Sequence, residues 1–246
     1  MTSGPSITAV VSNELRVPQD SERERGRVAA VLVSGGLDSA VLIASEACER
    51  EVQPIYVTGG LPWESIEREF LARFLAVYRG AHALLPLVEL ELPIRDVYPP
   101  AHWALSGAPP RYGTPDEDVY LVGRNIALLS KAGIYCAVAG LNRIVTGQLH
   151  GNPFPDATPE FFSAMARALS LGLDQRLEIA FPFLSKSKAD VIRLGASLDV
   201  PFELTVSCMN PTASAHCGAC SKCRERREGF AAGGITDPTH YATARV

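Results

Sequence analysis

The chain reads as an α/β protein with a doubly wound, mainly parallel five-stranded sheet and a C-terminal helical appendage. Three observations predict this. From Val28 onward, short apolar runs alternate with helix-period segments, as in successive βα units. The first run breaks into Ser34-Gly35-Gly36-Leu37-Asp38-Ser39 and then a helical pattern, the order of a buried strand, a phosphate-cradling turn and a helix start. Finally, Cys208, Cys217, Cys220 and Cys223 crowd together near the C-terminus.

The elements follow in order. Ile7 to Val11 predicts a short strand, and Gln19 to Arg27 a charged, mobile stretch. Val28 to Val33 is almost unbroken apolar, as expected of a strand covered on both faces. Gly35 and Gly36 let backbone amides converge on an anion, and Asp38 and Ser39 suit the first turn of a helix running to about Glu51. Cys48 and Cys136 fall within helical patterns and are expected to be buried thiols. Gln53 to Val57 is a second strand. Glu64 to Tyr78 is a helix with Ile66, Phe70, Phe74 and Val77 on its core face, and Leu84 to Leu92 is a third strand. Pro93 to Asp118 is long, irregular and aromatic, a length that points to a functional or disordered loop. Gly123-Arg124-Asn125 opens a helix over Ile126 to Val138, and Asn142 to Gly147 is a fourth strand. A helix from Pro159 to Leu171, a fifth strand over Leu177 to Phe181, and a helix from Ala189 to Leu198 preceded by Lys186-Ser187-Lys188 complete the pattern.

Open α/β sheets bind ligands beyond the carboxyl ends of their strands. Three loops satisfy that condition: Ser34 to Ser39, Thr58 to Trp63, and Gly147 to Pro159. The third carries Gly147, Gln148 and Asp156 and is dense in groups that recognise a polar heterocycle. Lys188, ahead of a helix and beside the proposed phosphate site, suits a phosphate as a point charge.

Composition narrows the classes. The 246 residues, 47% hydrophobic and 20% charged, suit one large globular domain with a small appendage. A net charge of −4 argues against a general nucleic-acid coat. No apolar run approaches the roughly 20 residues that cross a bilayer. The N-terminus lacks the basic-then-apolar order of a signal peptide, so a cytoplasmic location is expected. There is no Gly-x-x-x-x-Gly-Lys-Ser/Thr and no Gly-x-Gly-x-x-Gly, which argues against a P-loop kinase or a dinucleotide dehydrogenase.

The cysteine spacing Cys208-x8-Cys217-x2-Cys220-x2-Cys223 can wrap one tetrahedral ion, and four thiolates leave no open position, so the metal is expected to be structural Zn²⁺. An iron–sulfur cluster would use the same ligands. Lys222, Arg224, Arg226 and Arg227 are expected to balance the anionic metal–thiolate unit, or to face a phosphate or a partner.

The full Ser-Gly-Gly-x-Asp-Ser string resembles the pyrophosphate loop of the PP-loop ATP-pyrophosphatase superfamily. With Gly123-Arg-Asn125, Pro155-Asp156, Pro159-Glu-Phe161, Lys188-Ala-Asp190, Arg193-Leu-Gly195, Pro201-Phe-Glu-Leu-Thr205, the cysteines and Arg227-x-Gly229-Phe230, the chain resembles the 7-cyano-7-deazaguanine (preQ0) synthase family over about Val28 to Tyr241. That resemblance implies an adenine nucleotide α-hydrolase-like arrangement of Rossmann-type layers. The implied organisation is a flexible segment 1–27, a nucleotide-binding domain 28–200 and a zinc-binding segment 201–246.

It further implies an ATP- and Mg²⁺-dependent ligase that adenylates 7-carboxy-7-deazaguanine, admits ammonia to form the amide, and reaches the nitrile by a second adenylation. By matching position, Ser34, Gly35, Gly36, Leu37, Asp38 and Ser39 hold the ATP phosphates, Arg124 and Asn125 lie near the nucleotide, and Lys188 neutralises charge on pyrophosphate. A homodimer is the implied assembly. The family's usual Tyr-Gly-Gln-Arg-His after the second strand is replaced here by Val57-Thr58-Gly59-Gly60-Leu61-Pro62-Trp63. A divergent ligase serving another amine, or stopping at the amide, therefore stands beside the main reading. A tRNA-modifying enzyme or a non-catalytic nucleotide-binding protein are the other classes to separate.

Overall fold

The computed structural model describes residues 27–80, 83–212 and 215–243. The strand expected at Ile7 to Val11 and all but the last residue of the charged stretch Gln19 to Arg27 lie outside them. One five-stranded sheet has the order β3-β2-β1-β4-β5, with every pairing parallel. Its strands are β1 (Val28–Leu32), β2 (Glu51–Thr58), β3 (Val88–Glu91), β4 (Arg143–Val145) and β5 (Glu178–Ala180). The longer helices are α1 (Leu37–Glu46), α2 (Glu64–Val77), α3 (Arg124–Ala139), α4 (Pro159–Gly172), α5 (Lys188–Ser197) and α6 (Ser221–Gly233). The doubly wound parallel class is thus as expected.

Strand residues alternate between two cores, which is why β1 shows no polar face. Ala29, Val31 and Val33 join Leu42 and Ile43 of α1, Phe74 of α2 and Val191 and Ile192 of α5 on one side. Ala30 points the other way, onto Leu129, Ala132 and Cys136 of α3 and Phe162 of α4. The chain leaves β1 toward β2 and β3, then returns to place β4 on the opposite side of β1. That reversal leaves a crevice at the carboxyl ends of β1 and β4, the usual ligand position in such sheets.

Several local expectations need correction. The first helix ends at Glu46, and the turn that follows exposes Cys48, so this thiol is not a core residue; Cys136 is buried. Val77 is 62% exposed. Tyr78, which ends α2, takes the buried place instead and stacks on Phe74 with ring centroids 5.2 Å apart. The third strand is shorter than its apolar run, because Leu84 makes only an isolated bridge to Val52 and Pro86 cannot donate to a ladder. Lys188 does not precede its helix but forms the first residue of α5. Ser187 caps that helix in a reciprocal capping box with Asp190.

The irregular span after β3 folds as an aromatic flap. Tyr98, Trp103 and Ala104 pack with Leu61, Trp63 and Leu121, and Trp103 lies parallel to Trp63 at 5.6 Å. Beyond α5, residues 201–212 and 215–243 pack back on the sheet layers through α6, which lies against α5. Gly229 permits that approach: a Cβ there would stand 2.4 Å from Lys188 Cγ.

Candidate active site

A cleft of about 340 Å³ opens at the carboxyl edge of β1, β2 and β4. Its floor is the turn after β1. Gly35 has φ +70°, and a Cβ there would meet the Glu67 carbonyl oxygen at 2.4 Å, so the loop can press against α2 only with glycine. Gly36 precedes α1 as N-cap without a side-chain cap, leaving the first-turn amides of Leu37, Asp38 and Ser39 without intrahelical acceptors. Ser39 Oγ donates to the Gly36 carbonyl at 2.9 Å, tying turn to helix. The Val206 N–H donates to the Gly35 carbonyl at 2.9 Å, so the segment leading into Cys208 braces the loop.

A chain of charges crosses the cleft. Lys188 Nζ lies 2.6 Å from Asp38 Oδ2 and 2.8 Å from Glu225 Oε1, and Lys222 Nζ lies 2.6 Å from Glu225 Oε2. Burial works against the Lys188 ammonium, but Asp38 and Glu225 outweigh it and raise its pKa, so Lys188 is charged at neutral pH. Asp38 Oδ1 is buried without a hydrogen-bond partner among the described residues.

The opposite wall comes from α2 and α3. Glu67 accepts a hydrogen bond from Tyr56 Oη at 2.9 Å. Burial pushes its carboxyl up to about 7, with Arg124 acting in the opposite sense. The Asn125 N–H donates to Asp156 Oδ2 at 3.0 Å, and Asn125 Nδ2 donates to the Asp156 carbonyl at 2.8 Å. Asp156 therefore caps the start of α3 and holds Asn125; burial raises its pKa against those bonds. Gln148 accepts from Thr146 Oγ1 at 2.5 Å and reaches Asn125 Oδ1 at 3.5 Å. Trp63, Trp103, Tyr120 and Phe154 supply flat apolar surface, the last two stacked at 4.9 Å. Glu64 fixes the loop after β2 by accepting from Thr58 Oγ1 and from the amides of Gly59 and Gly60.

The fold thus brings Ser34, Gly36, Leu37, Asp38, Ser39, Arg124, Asn125, Gly147, Gln148, Asp156 and Lys188 to one cleft, with Gly35 in the loop beneath. Sequence reasoning missed Tyr56, Glu67 and Glu225. Glu67 lies one helical turn beyond Glu64, and Glu225 two residues beyond Cys223, but neither spacing alone distinguishes a lining residue from a solvated one.

The cysteines form a second, separate centre. All four Sγ atoms lie within 4.8 Å of one another, with separations of 3.5, 3.9 and 4.0 Å for Cys220–Cys223, Cys217–Cys223 and Cys208–Cys220. A tetrahedron of 2.3 Å Zn–S bonds has an edge of about 3.8 Å, so these sulfurs fit a zinc ion, and they are too far apart for disulfides. Backbone N–H groups of Asn210 and Cys217 point at Cys208 Sγ, and that of Ala219 at Cys217 Sγ. The neighbouring arginines do not serve the sulfurs as expected. Arg226, 1% exposed, binds Thr205, Ser207, Thr239 and the Phe202 carbonyl. Arg224 holds the Tyr112 and Thr114 carbonyls and Asp116, while Arg227 lies over the Tyr241 ring.

Comparison with known proteins places this cleft in a family. Residues 28–234 match the family model described as queuosine biosynthesis protein QueC. The chain is 34% identical over 236 residues to the 7-cyano-7-deazaguanine synthase of Thermoplasma volcanium, covering 87% of this chain and 90% of that one. It is 34% identical over 223 residues to the enzyme of that name from Xanthomonas campestris pv. campestris strain B100, and 33% over 230 residues to that of Methanoculleus marisnigri. Those alignments cover 87% of this chain and 97% and 98% of the relatives. A solved structure titled as a predicted subunit of tRNA methyltransferase from Methanocaldococcus jannaschii aligns at TM-score 0.43 and 15% identity over 69% of this chain and 74% of that one, too distant to bear on fold or function. With a family model matched over residues 28–234 and alignment to these relatives over 87% of its length, the chain belongs to the QueC family of 7-cyano-7-deazaguanine synthases.

Proposed function

We propose that this protein is an AMP-forming ligase that converts 7-carboxy-7-deazaguanine and ammonia into 7-cyano-7-deazaguanine at the expense of ATP, through the amide. The observation that carries this reading is the Asp38–Lys188 ion pair set across the mouth of the Ser34–Ser39 loop, in a chain of this family. The uncapped turn at Gly36 offers amides to the ATP phosphates, with Gly35 and the Ser34 and Ser39 hydroxyls shaping the loop around them. The orphaned Asp38 Oδ1 suits a cation arriving with the nucleotide, and Mg²⁺ bound there would offset phosphate charge. Lys188, fixed and charged, would stabilise negative charge growing on the departing pyrophosphate. Arg124 and Asn125 would border the nucleotide. Gly147 and Gln148 would face the acceptor, and Asp156 would act by holding Asn125.

Zinc at the four cysteines would serve structure, holding the segment that braces Gly35 and carries α6. A homodimer belongs to the same reading, supported by the exposed stripe Ile126, Ile134 and Val138 along α3.

The divergent Thr58–Trp63 loop, locked by Glu64 and roofed by the Trp63–Trp103 stack, favours one second reading: the same activation serving another amine or ending at the amide. Mass spectrometry of the products from ATP, Mg²⁺, ammonia and 7-carboxy-7-deazaguanine separates these. The nitrile with AMP and pyrophosphate is expected. Amide alone, or an adduct of a different amine, would transfer the assignment to the second reading, and no AMP formation would remove both.

A further inference from the structure

The zinc-bearing segment does more than brace the phosphate loop, because it also places charged side chains inside the cleft. Cys220 and Cys223 anchor the start of α6, and within that turn Lys222 and Glu225 face inward and line the cleft. Glu225 uses both carboxylate oxygens on ammonium groups: Oε1 lies 2.8 Å from Lys188 Nζ, reached from α5, and Oε2 lies 2.6 Å from Lys222 Nζ, three residues back on its own helix. Lys188 continues to Asp38 in the first turn of α1.

A surface i,i+3 pair has little reason to be built this way. Here the shared carboxylate is inside the cleft wall, its second partner comes from a different helix, and the close packing of α6 on α5 depends on a glycine at 229, where a side chain would strike Lys188. The four charges alternate, Asp38 negative, Lys188 positive, Glu225 negative and Lys222 positive. The row begins in the loop floor and ends with a cation that is 32% exposed. A polyphosphate entering the loop thus meets two ammonium groups held one carboxylate apart, close enough to serve neighbouring phosphoryl groups.

We propose that Lys222 is a second pyrophosphate-binding cation, that Glu225 is the positioning residue that sets Lys188 and Lys222 side by side, and that the metal-anchored turn of α6 delivers both to the ATP site. This rests on the ATP-dependent reading above and assigns to the cysteine segment a share of phosphate recognition. In the proposed reaction the Pα–O bond to the β,γ-unit breaks as the substrate oxygen bonds to Pα. The electron pair leaves on pyrophosphate, where Lys188 and Lys222 meet it; no proton or electron passes through Glu225.

Calorimetric titration with magnesium pyrophosphate and, separately, with AMP tests this on the full-length wild-type protein and on Lys222→Met, Lys222→Arg and Glu225→Gln, each checked for bound zinc and thermal midpoint. Replacing one charged hydrogen-bonding partner of a phosphate is expected to weaken pyrophosphate affinity roughly tenfold or more. That loss should appear in Lys222→Met, be largely restored in Lys222→Arg, and leave AMP affinity within about twofold of wild type, whereas in Glu225→Gln the lost positioning should offset the removal of a repelling anion so that pyrophosphate affinity does not rise. In steady state the same variants should lose kcat more than KM for the deazaguanine. Unchanged pyrophosphate affinity in a zinc-replete Lys222→Met, or an equal loss for AMP and pyrophosphate, overturns the proposal and leaves the ATP reading intact. Failure of the wild-type protein to bind pyrophosphate or ATP overturns both.

Discussion

Replacing Glu67 with Gln offers a direct test of the electrostatics of the cleft. The carboxyl is held by Tyr56 Oη on one side and otherwise surrounded by α2, the phosphate loop and Arg124, and burial pushes its pKa up to about 7 from an ordinary 4.5. A folded-state pKa above the unfolded value means the native protein binds the proton more tightly. Its stabilising contribution is therefore complete below about pH 4.5 and is lost as pH rises to about 7. A shift of this size corresponds to about 3 kcal/mol, reduced toward 2 by the solvent that reaches the cleft. Gln has the shape of the protonated acid, still accepts from Tyr56 and does not titrate. Urea unfolding of both proteins at pH 4.5, 6 and 8 is the assay. The Gln variant should match wild type at the lowest pH and exceed it by about 2 to 3 kcal/mol at pH 8, or roughly 4 to 12 °C in midpoint for a chain of this size. A stability difference that does not change with pH, or one that grows in favour of wild type as pH rises, would refute this account of Glu67.

Three further outcomes follow from the geometry. Gly35→Ala should destabilise by at least about 1 to 2 kcal/mol from its left-handed backbone alone, and more from the clash with the Glu67 carbonyl. Gly36→Ala, at φ −75°, should fold nearly as well yet bind nucleotide more weakly; equal thermal midpoints for the two would contradict the difference drawn between the glycines. Gly229→Ala should displace Lys188 from Asp38 and Glu225, lowering turnover at least tenfold while the sheet stays folded by circular dichroism. Cys220→Ser, or removal of zinc by a strong chelator, should lower the thermal midpoint and weaken nucleotide binding together, measured by scanning fluorimetry with and without ATP. A metal-free protein of undiminished nucleotide affinity would show that Val206 does not need the metal to brace Gly35.

How much of this was legible in the sequence depends on how local each feature is. The strand after Val28, the glycine turn and the cysteine spacing are short-range patterns, and each carried through to the fold. The parallel class followed because strands covered on both faces cannot alternate, as Ala29 and Ala30 show by entering different cores. End effects were not legible: the turn after Glu46 that exposes Cys48, and the replacement of Val77 by Tyr78 at the end of α2, depend on where a helix stops over the sheet. Nor could the sequence divide the basic residues after Cys220 between the roles open to them, balancing the thiolates or facing a phosphate or a partner. Only the close packing of α6 on α5 sorts Lys222 toward the cleft and Arg226 into the interior. The loop after β2 was readable as a loop beyond a strand end, but its fixed shape comes from Glu64, whose carboxylate meets three donors that no periodicity announces.

The bond from Val206 to Gly35, with the Lys188–Asp38 contact that spans 150 positions, also bears on the order in which the molecule matures. A ribosome-bound chain lengthened only as far as β5 already contains all five strands of the described residues and the entire glycine turn. It lacks the amide that braces that turn and the cations that face it. Contacts so distant along the chain form late because closing long loops is entropically costly. The partly made protein would thus hold its strands with one face still uncovered by α5 and α6, and the Ser34–Ser39 loop would gain its brace and its facing cations only as the cysteine turn arrives.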